Sequence, residues 1–391
     1  MTLITENGAL AAFCGRLAGA EFVTVDTEFM REKTYWPVLC LVQVAGPDEA
    51  AAIDPLAPDI DLAPLLALMA DAAILKVFHA ARQDIEIFFN LTGRVPAPLF
   101  DTQIAAMVCG FGESASYETL AGKLAGAQID KSSRFTDWSH RPLSERQLHY
   151  ALADVVPLRK VYERLVARLE RTGRAGWVAE EMAALIDPSV YRADPAVAWR
   201  RLKPRTTNRR TLALVQELAA WRELSAQARN IPRNRLVRDE AILEIASHPP
   251  KETDDLTRIR AFGRGMAESR LGGEILEVVA RARALSEESL PELPAQRNVA
   301  PGLAPLIELL RVLLKLCADE AGVAPRLIAD SDDLAAIAAD DAAPVRALTG
   351  WRAELFGHDA LDLKHGRLAL SAAGSKIARL RLADPHSAAA Q

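Results

Sequence analysis

Strand-like patterning in this chain is confined to its first 110 residues; beyond about residue 188 almost nothing alternates with period two. A chain divided in this way must gather its strands into one sheet near the N-terminus and pack its remaining helices as separate units. With 391 residues it is also too long for a single ordinary core, so two or three domains are expected.

Within the first part, residues 21–29 read as a strand, 38–45 as a more buried one and 50–53 as a short third. The first two are separated by only about eight residues, which predicts an antiparallel pair rather than a helical crossover. Residues 61–71 fit a helix, 74–79 a fourth strand, and 81–92 a helix stopped by Gly93. Another strand near Phe100 precedes a helix from about 102, completing an α/β layered domain with a mixed sheet. A long amphipathic helix then runs from Ser144 to Arg171, with Ser144 and Gln147 as a capping box and Gly173 as its stop. Pro157 lies inside it and deprives the Ala153 carbonyl of a donor, so a kink is expected just after Asp154.

Composition narrows the functional classes. Half the residues are apolar and 25% are charged, as in ordinary globular proteins. No apolar run reaches the roughly 18 residues of a membrane helix, and the N-terminus lacks the basic start of a signal peptide, so a cytoplasmic protein is expected. Cys14, Cys40, Cys109 and Cys317 are scattered without finger spacing, which argues for packing rather than zinc or disulfides. The net charge of −5 means that a polyanionic partner must be held by a local basic patch or by metal ions.

Five residues form the candidate site. Asp26 and Glu28 are two apart on a strand, so both project from one face, in a setting of Phe22, Val23, Val25 and Phe29 that does not favour acids. Asp84 falls in the first turn of a helix, and Tyr150 and Asp154 share one face of the long helix. Singly, each has an ordinary explanation: an exposed strand face, helix decoration, a buried tyrosine–aspartate bond. Jointly, D-x-E on a first strand, an aspartate after a later strand and Y-x-x-x-D on a following helix form a rare constellation.

On these residues the chain resembles the tyrosine-bearing branch of the DEDD exonuclease superfamily, which has an RNase H-like fold, and within it the ribonuclease D family. The resemblance is carried by VDTEF (25–29), LVQVA (41–45), HAARQDIE (79–86), FDTQIAA (100–106), DWSHRPLS (137–144) and YALAD (150–154). It implies Asp26, Glu28, Asp84 and Asp154 as ligands and Tyr150 as the group that orients water. Four close carboxylates repel one another unless cations intervene, and oxygen-only donors select Mg²⁺ or Mn²⁺. Two such divalent ions, roughly 3.5–4 Å apart, can bracket a scissile phosphate. By analogy with the family, Asp26 bridges both ions, Glu28 and Asp154 complete the nucleophile side, and Asp84 serves the other. Phe29, His79 and Trp138 are candidate substrate contacts, each with structural packing as the competing explanation. Asp101 and Gln103 are read as orienting backbone near the site.

The stretch 200–210 holds six basic residues and no acid, and Arg205, Arg209 and Arg210 are candidate phosphate contacts. Residues 211–287 resemble an HRDC domain, through the WREL helix, the N-I-P turn at 230–232 and the DEAILEIA helix. The expected organisation is thus an α/β exonuclease domain at 1–173, a basic connector at 174–210 and an HRDC bundle at 211–287. A linker at 288–302, a second, degenerate all-α HRDC-like bundle at 303–378 and a frayed tail at 379–391 complete it. The resemblance implies a 3′→5′ exoribonuclease that trims tRNA precursors with single-stranded 3′ ends and releases nucleoside 5′-monophosphates, with no membrane or obligate protein partner. The competing readings are a DNA exonuclease of the same superfamily and a non-catalytic RNA-binding protein.

Overall fold

The computed structural model describes residues 2–130, 132–260, 262–293 and 302–382. Most of the linker expected at 288–302, and the tail from 383 onward, lie outside the described residues.

The short strand β1 (Thr2–Ile4) and helix α1 (Asn7–Leu17) open the chain, a pair that the sequence reading does not single out although Leu10, Phe13, Cys14 and Leu17 stand at helical spacing. β2 (Phe22–Met30), β3 (Val38–Ala45) and β4 (Ala50–Ile53) follow as an antiparallel meander. Then come α2 (Ala63–Ala70), β5 (Leu75–Phe78), α3 (Arg82–Thr92), β6 (Leu99–Asp101) and α4 (Thr102–Val108). The six strands make one sheet in the order β1-β4-β3-β2-β5-β6, with β1, β5 and β6 each parallel to its neighbour. The sheet is mixed, as the short first connection predicts. Gly93, at φ 70°, ends α3 in the left-handed conformation that a side chain disfavours.

The two faces of this sheet differ. Val23, Val25, Val42, Val44 and Ile53 fill one face and belong to the large core that also takes Leu10 and Phe13 of α1, Leu65 of α2 and Ile85 of α3. The other face carries Thr24, Asp26, Glu28 and Gln43 by strand alternation, and it lies under the long helix. After α5 (Tyr117–Leu120) that helix, α6 (Glu145–Thr172), starts on the expected capping box and stops at Gly173. Its sequence continues through Pro157 as a single helix. The carbonyl that Pro157 leaves without a donor, that of Ala153, accepts the Tyr117 hydroxyl at 2.8 Å. α7 (Ala175–Leu185) then closes back on the sheet edge at β6.

The helical remainder forms two units. α8 (Arg209–Arg229), α9 (Arg233–Leu236), α10 (Asp239–Ser247), α11 (Thr253–Thr257), α12 (Arg264–Ala267) and α13 (Arg270–Arg283) enclose their own core around Leu218, Ile242 and Ile275. The second unit consists of α14 (Ala304–Ala321), α15 (Pro325–Ile328), α16 (Ser331–Ala339), α17 (Gly350–Arg352) and α18 (His358–Lys364), with the hairpin β7 (Leu368–Ala373) and β8 (Lys376–Arg381). Its core is continuous with that of the nuclease layer. Trp177 stacks on Trp351 at 4.2 Å, the Ala324 amide donates to the Met107 carbonyl, and the Gly110 backbone approaches that of Gly322 so closely that a Cβ would clash.

The hairpin departs from expectation, since residues 379–381 are paired strand rather than frayed tail. Its side chains are mostly exposed, so no apolar alternation marks it; Arg379 and Arg381 pin it to Asp359, Asp362 and Glu320. All four cysteines are free and buried, and among the described residues no helix is long and apolar enough to cross a membrane.

Candidate active site

β2 and α6 bring the first acids together. Asp26 stands opposite Gln43 in register, and Glu28 opposite Leu41. The register then slips between Glu28 and Phe29, so the strand bends just beyond the second acid. On the facing helix, Tyr150 and Asp154 are one turn apart and point at the same strand face. One oxygen from each of Asp26, Glu28 and Asp154 lies within 4.8 Å of the others. Asp84 arrives from the first turn of α3, buried to 6% exposure, with its carboxylate accepting the Thr27 hydroxyl. It lines the same cleft, of about 650 Å³, as the other three acids and Tyr150, without joining their close trio.

Electrostatics follow from that packing. Burial pushes Asp26 well above the usual carboxylate range, and the charges of Asp154, Asp84 and Glu28 push it further. Glu28 rises to about 9 for the same reasons, with Arg134 opposing. Burial lifts Asp84 to about 7 against the Thr27 hydrogen bond, and Asp154 to about 7 against the Tyr150 hydroxyl and Arg134. The Tyr150 hydroxyl is itself raised by burial and by the charges of Asp154, Glu28 and Asp26, so it keeps its proton at neutral pH. Converging, buried oxygen donors that repel one another are a set that a hard divalent cation relieves. The side-chain amide of Gln43, buried opposite Asp26 with no partner among the described residues, adds an orphaned polar group to the same face. The donor chemistry therefore fits Mg²⁺ or Mn²⁺.

Neighbouring side chains hold the frame. Asp101 caps α4 through the Gln103 amide and takes the amides of Ala80 and Ala81 at 3.0 and 2.9 Å. It thereby secures Ala80 at φ 60°, the turn that launches α3 and Asp84, so Asp101 does orient backbone at the site. His79 lines the cleft with its Nδ1 3.0 Å from the Thr102 hydroxyl, and burial depresses its pKa. In the loop before α6, Arg141 grips Asp54 with two 2.7 Å contacts and also donates to the carbonyls of Cys40, Trp138 and His140. That anchor accounts for an arginine inside DWSHRPLS, and the sequence reading does not single it out.

Of the candidate substrate contacts, Phe29 and His79 line the cleft. Trp138 does not: it is 2% exposed and packs behind Tyr150, ring centroids 6.0 Å apart, so its place is in the wall rather than the channel. Arg205, Arg209 and Arg210 lie outside the cleft lining as well. Arg209 donates to the carbonyls of Leu290 and Pro291, and Arg210 to the carbonyl of Leu285 and to Glu287, tying the start of α8 to the end of its own bundle. Sequence reasoning missed Arg134, Phe135, Gln83 and Tyr117, all in the lining. Phe135 is 91% exposed, and a solvent-facing aromatic next to an arginine in SSRF was the available signal.

Comparison with known proteins shows the family and the fold. Residues 1–170 match a family model described as 3′-5′ exonuclease, and residues 211–279 match the HRDC domain. Ribonuclease D of Granulibacter bethesdensis is 52% identical, covering 96% of this chain and 95% of its own. Ribonuclease D of Acidiphilium cryptum is 55% identical, covering 96% of both chains. Among solved structures, Escherichia coli RNase D, described as an exoribonuclease involved in structured RNA processing, superposes with a TM-score of 0.83 at 30% identity, over 93% of this chain and 98% of that one. The catalytic core of RRP6 from Trypanosoma brucei, at 22% identity and a TM-score of 0.55 over 73% of this chain and 80% of that one, shares the fold.

Proposed function

The chain belongs to the ribonuclease D family and is a 3′→5′ exoribonuclease, and on that premise we propose that Asp26, Glu28, Asp84, Tyr150 and Asp154 form its hydrolytic site. The observation that carries this reading is the convergence of Asp26, Glu28 and Asp154 oxygens within 4.8 Å of one another in a cleft that Tyr150 and Asp84 also line. The family depends on divalent metal, and the reading here is two ions, Mg²⁺ or Mn²⁺, held by Asp26, Glu28, Asp154 and Asp84. When bound, such ions supply Lewis acidity to water and to the departing 3′ oxygen of the scissile phosphodiester.

The chain's own residues do the rest. The acids stay anionic once cations offset their repulsion, and their burial keeps bulk water from competing for the phosphate. Tyr150, protonated at neutral pH, orients the attacking water by a hydrogen bond instead of removing its proton. Arg134 at the cleft lining faces the substrate's negative charge, and the exposed Phe135 offers a ring to an unpaired base. The products are nucleoside 5′-monophosphates.

The substrates proposed are tRNA precursors with single-stranded 3′ ends. Their support is that the E. coli relative acts in structured RNA processing and that this chain carries an HRDC module. A 5′-labelled RNA with a single-stranded 3′ tail should shorten stepwise in Mg²⁺, and Asp26→Asn should slow it by at least about 10³-fold. Turnover that survives Asp26→Asn and Asp154→Asn would place the chemistry elsewhere, and faster loss of a matched DNA strand would favour the DNA exonuclease reading.

A further inference from the structure

Between the nuclease layer and the α8–α13 bundle lies a second cleft, of about 480 Å³, that hydrolysis does not use. Arg31, Arg82, Arg192, Arg201, Arg222 and Arg233 line it. Among the described residues, Glu86 and Asp239 in the lining and Glu223 behind it pair with them, and Asp187 outside the lining lies near Arg192. Arg31 pairs with Glu86 at 2.6 Å, Arg222 with Asp239 at 2.7 Å and Arg233 with Glu223 at 2.5 Å. Arg201 reaches Glu223 only at 3.9 Å. The side chains of Arg82 and Arg192, both exposed, make no hydrogen bond or ion pair among the described residues. The Nε groups of Arg31 and Arg222 are buried without a partner, so even the paired arginines keep a donor unused. Trp36 and Tyr191 add aromatic surface to this cationic wall.

The two clefts share elements. β2 gives Asp26, Glu28 and Phe29 to the acidic cleft, and the chain just beyond its end gives Arg31, Tyr35 and Trp36 to the basic one. Two residues of extended chain, about 7 Å, separate Phe29 from Arg31. α3 stands as a partition, with Gln83 and Asp84 turned to the acidic side and Arg82 and Glu86 to the basic side. A cationic groove with aromatic rings, across α3 from a phosphodiester-cutting cleft, has the makeup of a single-strand nucleic-acid track. A strand whose 3′ end lies among the acids extends its 5′ portion out of that cleft, and the basic cleft on the other side of α3 is a surface of matching charge.

We propose that this interdomain cleft binds the single-stranded RNA on the 5′ side of the scissile bond. Arg82 and Arg192 contact its phosphates and Trp36 stacks on a base. The α8–α13 bundle thereby forms the second wall of an RNA track. The inference rests on the exoribonuclease reading of the neighbouring cleft, so binding and turnover are measured separately.

The test is fluorescence anisotropy of a 5′-labelled 20-nucleotide single-stranded RNA in EDTA over a range of salt, with wild type and the Arg82→Ala/Arg192→Ala pair. Kd for the variant should weaken about tenfold at low salt, and the slope of log Kd against log salt should fall by about 1.4, as for two lost single-strand phosphate contacts. The Arg82→Lys/Arg192→Lys pair should restore most of the slope, a recovery that a merely structural role would not give. In Mg²⁺, KM should fall with RNA length for wild type and lose that dependence in the alanine pair. A Kd and slope equal to wild type in the alanine pair, or a length dependence of KM that persists in it, overturns the proposal. A wild-type protein that binds the RNA in EDTA yet fails to shorten it in Mg²⁺ would instead count against the hydrolytic reading.

Discussion

Asp26, Glu28, Asp84 and Asp154 are all held above the ordinary carboxylate range by burial, and the charges of Asp154 and Asp84 push Asp26 and Glu28 further. An acid whose folded pKa exceeds its unfolded value, near 4, binds more protons in the native state between those two values. Stability from these groups is therefore greatest at low pH and falls as pH rises, through about 7 for Asp84 and Asp154 and about 9 for Glu28. In EDTA, Asp26→Asn should have a higher Tm than wild type by a margin that widens from pH 5 to pH 9. Mn²⁺ should raise the wild-type Tm more at pH 8 than at pH 5, because metal binding displaces protons. A margin independent of pH in differential scanning fluorimetry would contradict the assigned repulsion. Tyr150 differs from the acids in keeping its proton over this whole range. Tyr150→Phe should lower kcat by about 10²-fold with little change in KM, and the remaining pH–rate profile should keep its shape.

At the scale of elements, the long helix and the sheet position the site through a few polar contacts. The Thr24 hydroxyl donates to the Val155 carbonyl at 2.8 Å, and the Tyr117 hydroxyl donates to the Ala153 carbonyl at 2.8 Å. The second bond supplies the donor that Pro157 removes, so the helix carries its proline beside the catalytic turn. Tyr117→Phe leaves that carbonyl unmatched and should cost about 1–3 kcal/mol in urea unfolding. Because the freed carbonyl lies next to Asp154, the same variant should also weaken Mn²⁺ binding; unaltered stability would show that water replaces the hydroxyl. The strands, α3 and the capped start of α6 were legible because local signals, period-two runs, Gly93 and the Ser144–Gln147 box, all agree with the fold. β1 and the β7–β8 hairpin were not, since three-residue or solvent-exposed strands bury too little to leave a pattern; α1 carries Leu10, Phe13, Cys14 and Leu17 at helical spacing and went unread.

Across the whole molecule, the chain is partitioned differently from its order in sequence. The first helical module keeps a core of its own, whereas the α14–α18 unit shares one core with the nuclease layer although more than a hundred residues separate them. Arg352, 2% exposed, reaches Glu180 at 2.8 Å as well as Glu181 and the Leu327 carbonyl, sealing that junction. Native-state hydrogen exchange should find α14 amides opening together with those of α4 and α7, and α8–α13 amides opening as a separate unit. Arg352→Ala should destabilise the unit with the shared core by about 1–3 kcal/mol, since the buried Leu327 carbonyl loses its donor, whereas Glu181 keeps Arg346 and Glu180 is half-exposed. Exchange of α14 in step with α8 would refute the shared core. The first module contacts the nuclease layer through Tyr35, whose hydroxyl donates to the buried Glu223 and accepts from Gln227 and Arg233.

What the sequence determined by itself was the mixed sheet, the long capped helix and two pairings within the candidate site, because each is written in local spacing. Strand alternation puts Asp26 with Glu28, a helical turn puts Tyr150 with Asp154, and neither pairing needs the rest of the fold. Only the tertiary structure decided how near those pairs approach, that Asp84 stands slightly apart on a Thr27 hydrogen bond, and that Trp138 supports Tyr150 from behind. It also decided which arginines remain available. Arg209 and Arg210 looked free in a basic run yet are spent on carbonyls and on Glu287, while Arg82 and Arg192, unremarkable in sequence, face an open cleft. A charge's partners lie far away along the chain, so its availability is settled by packing, and no local pattern records it.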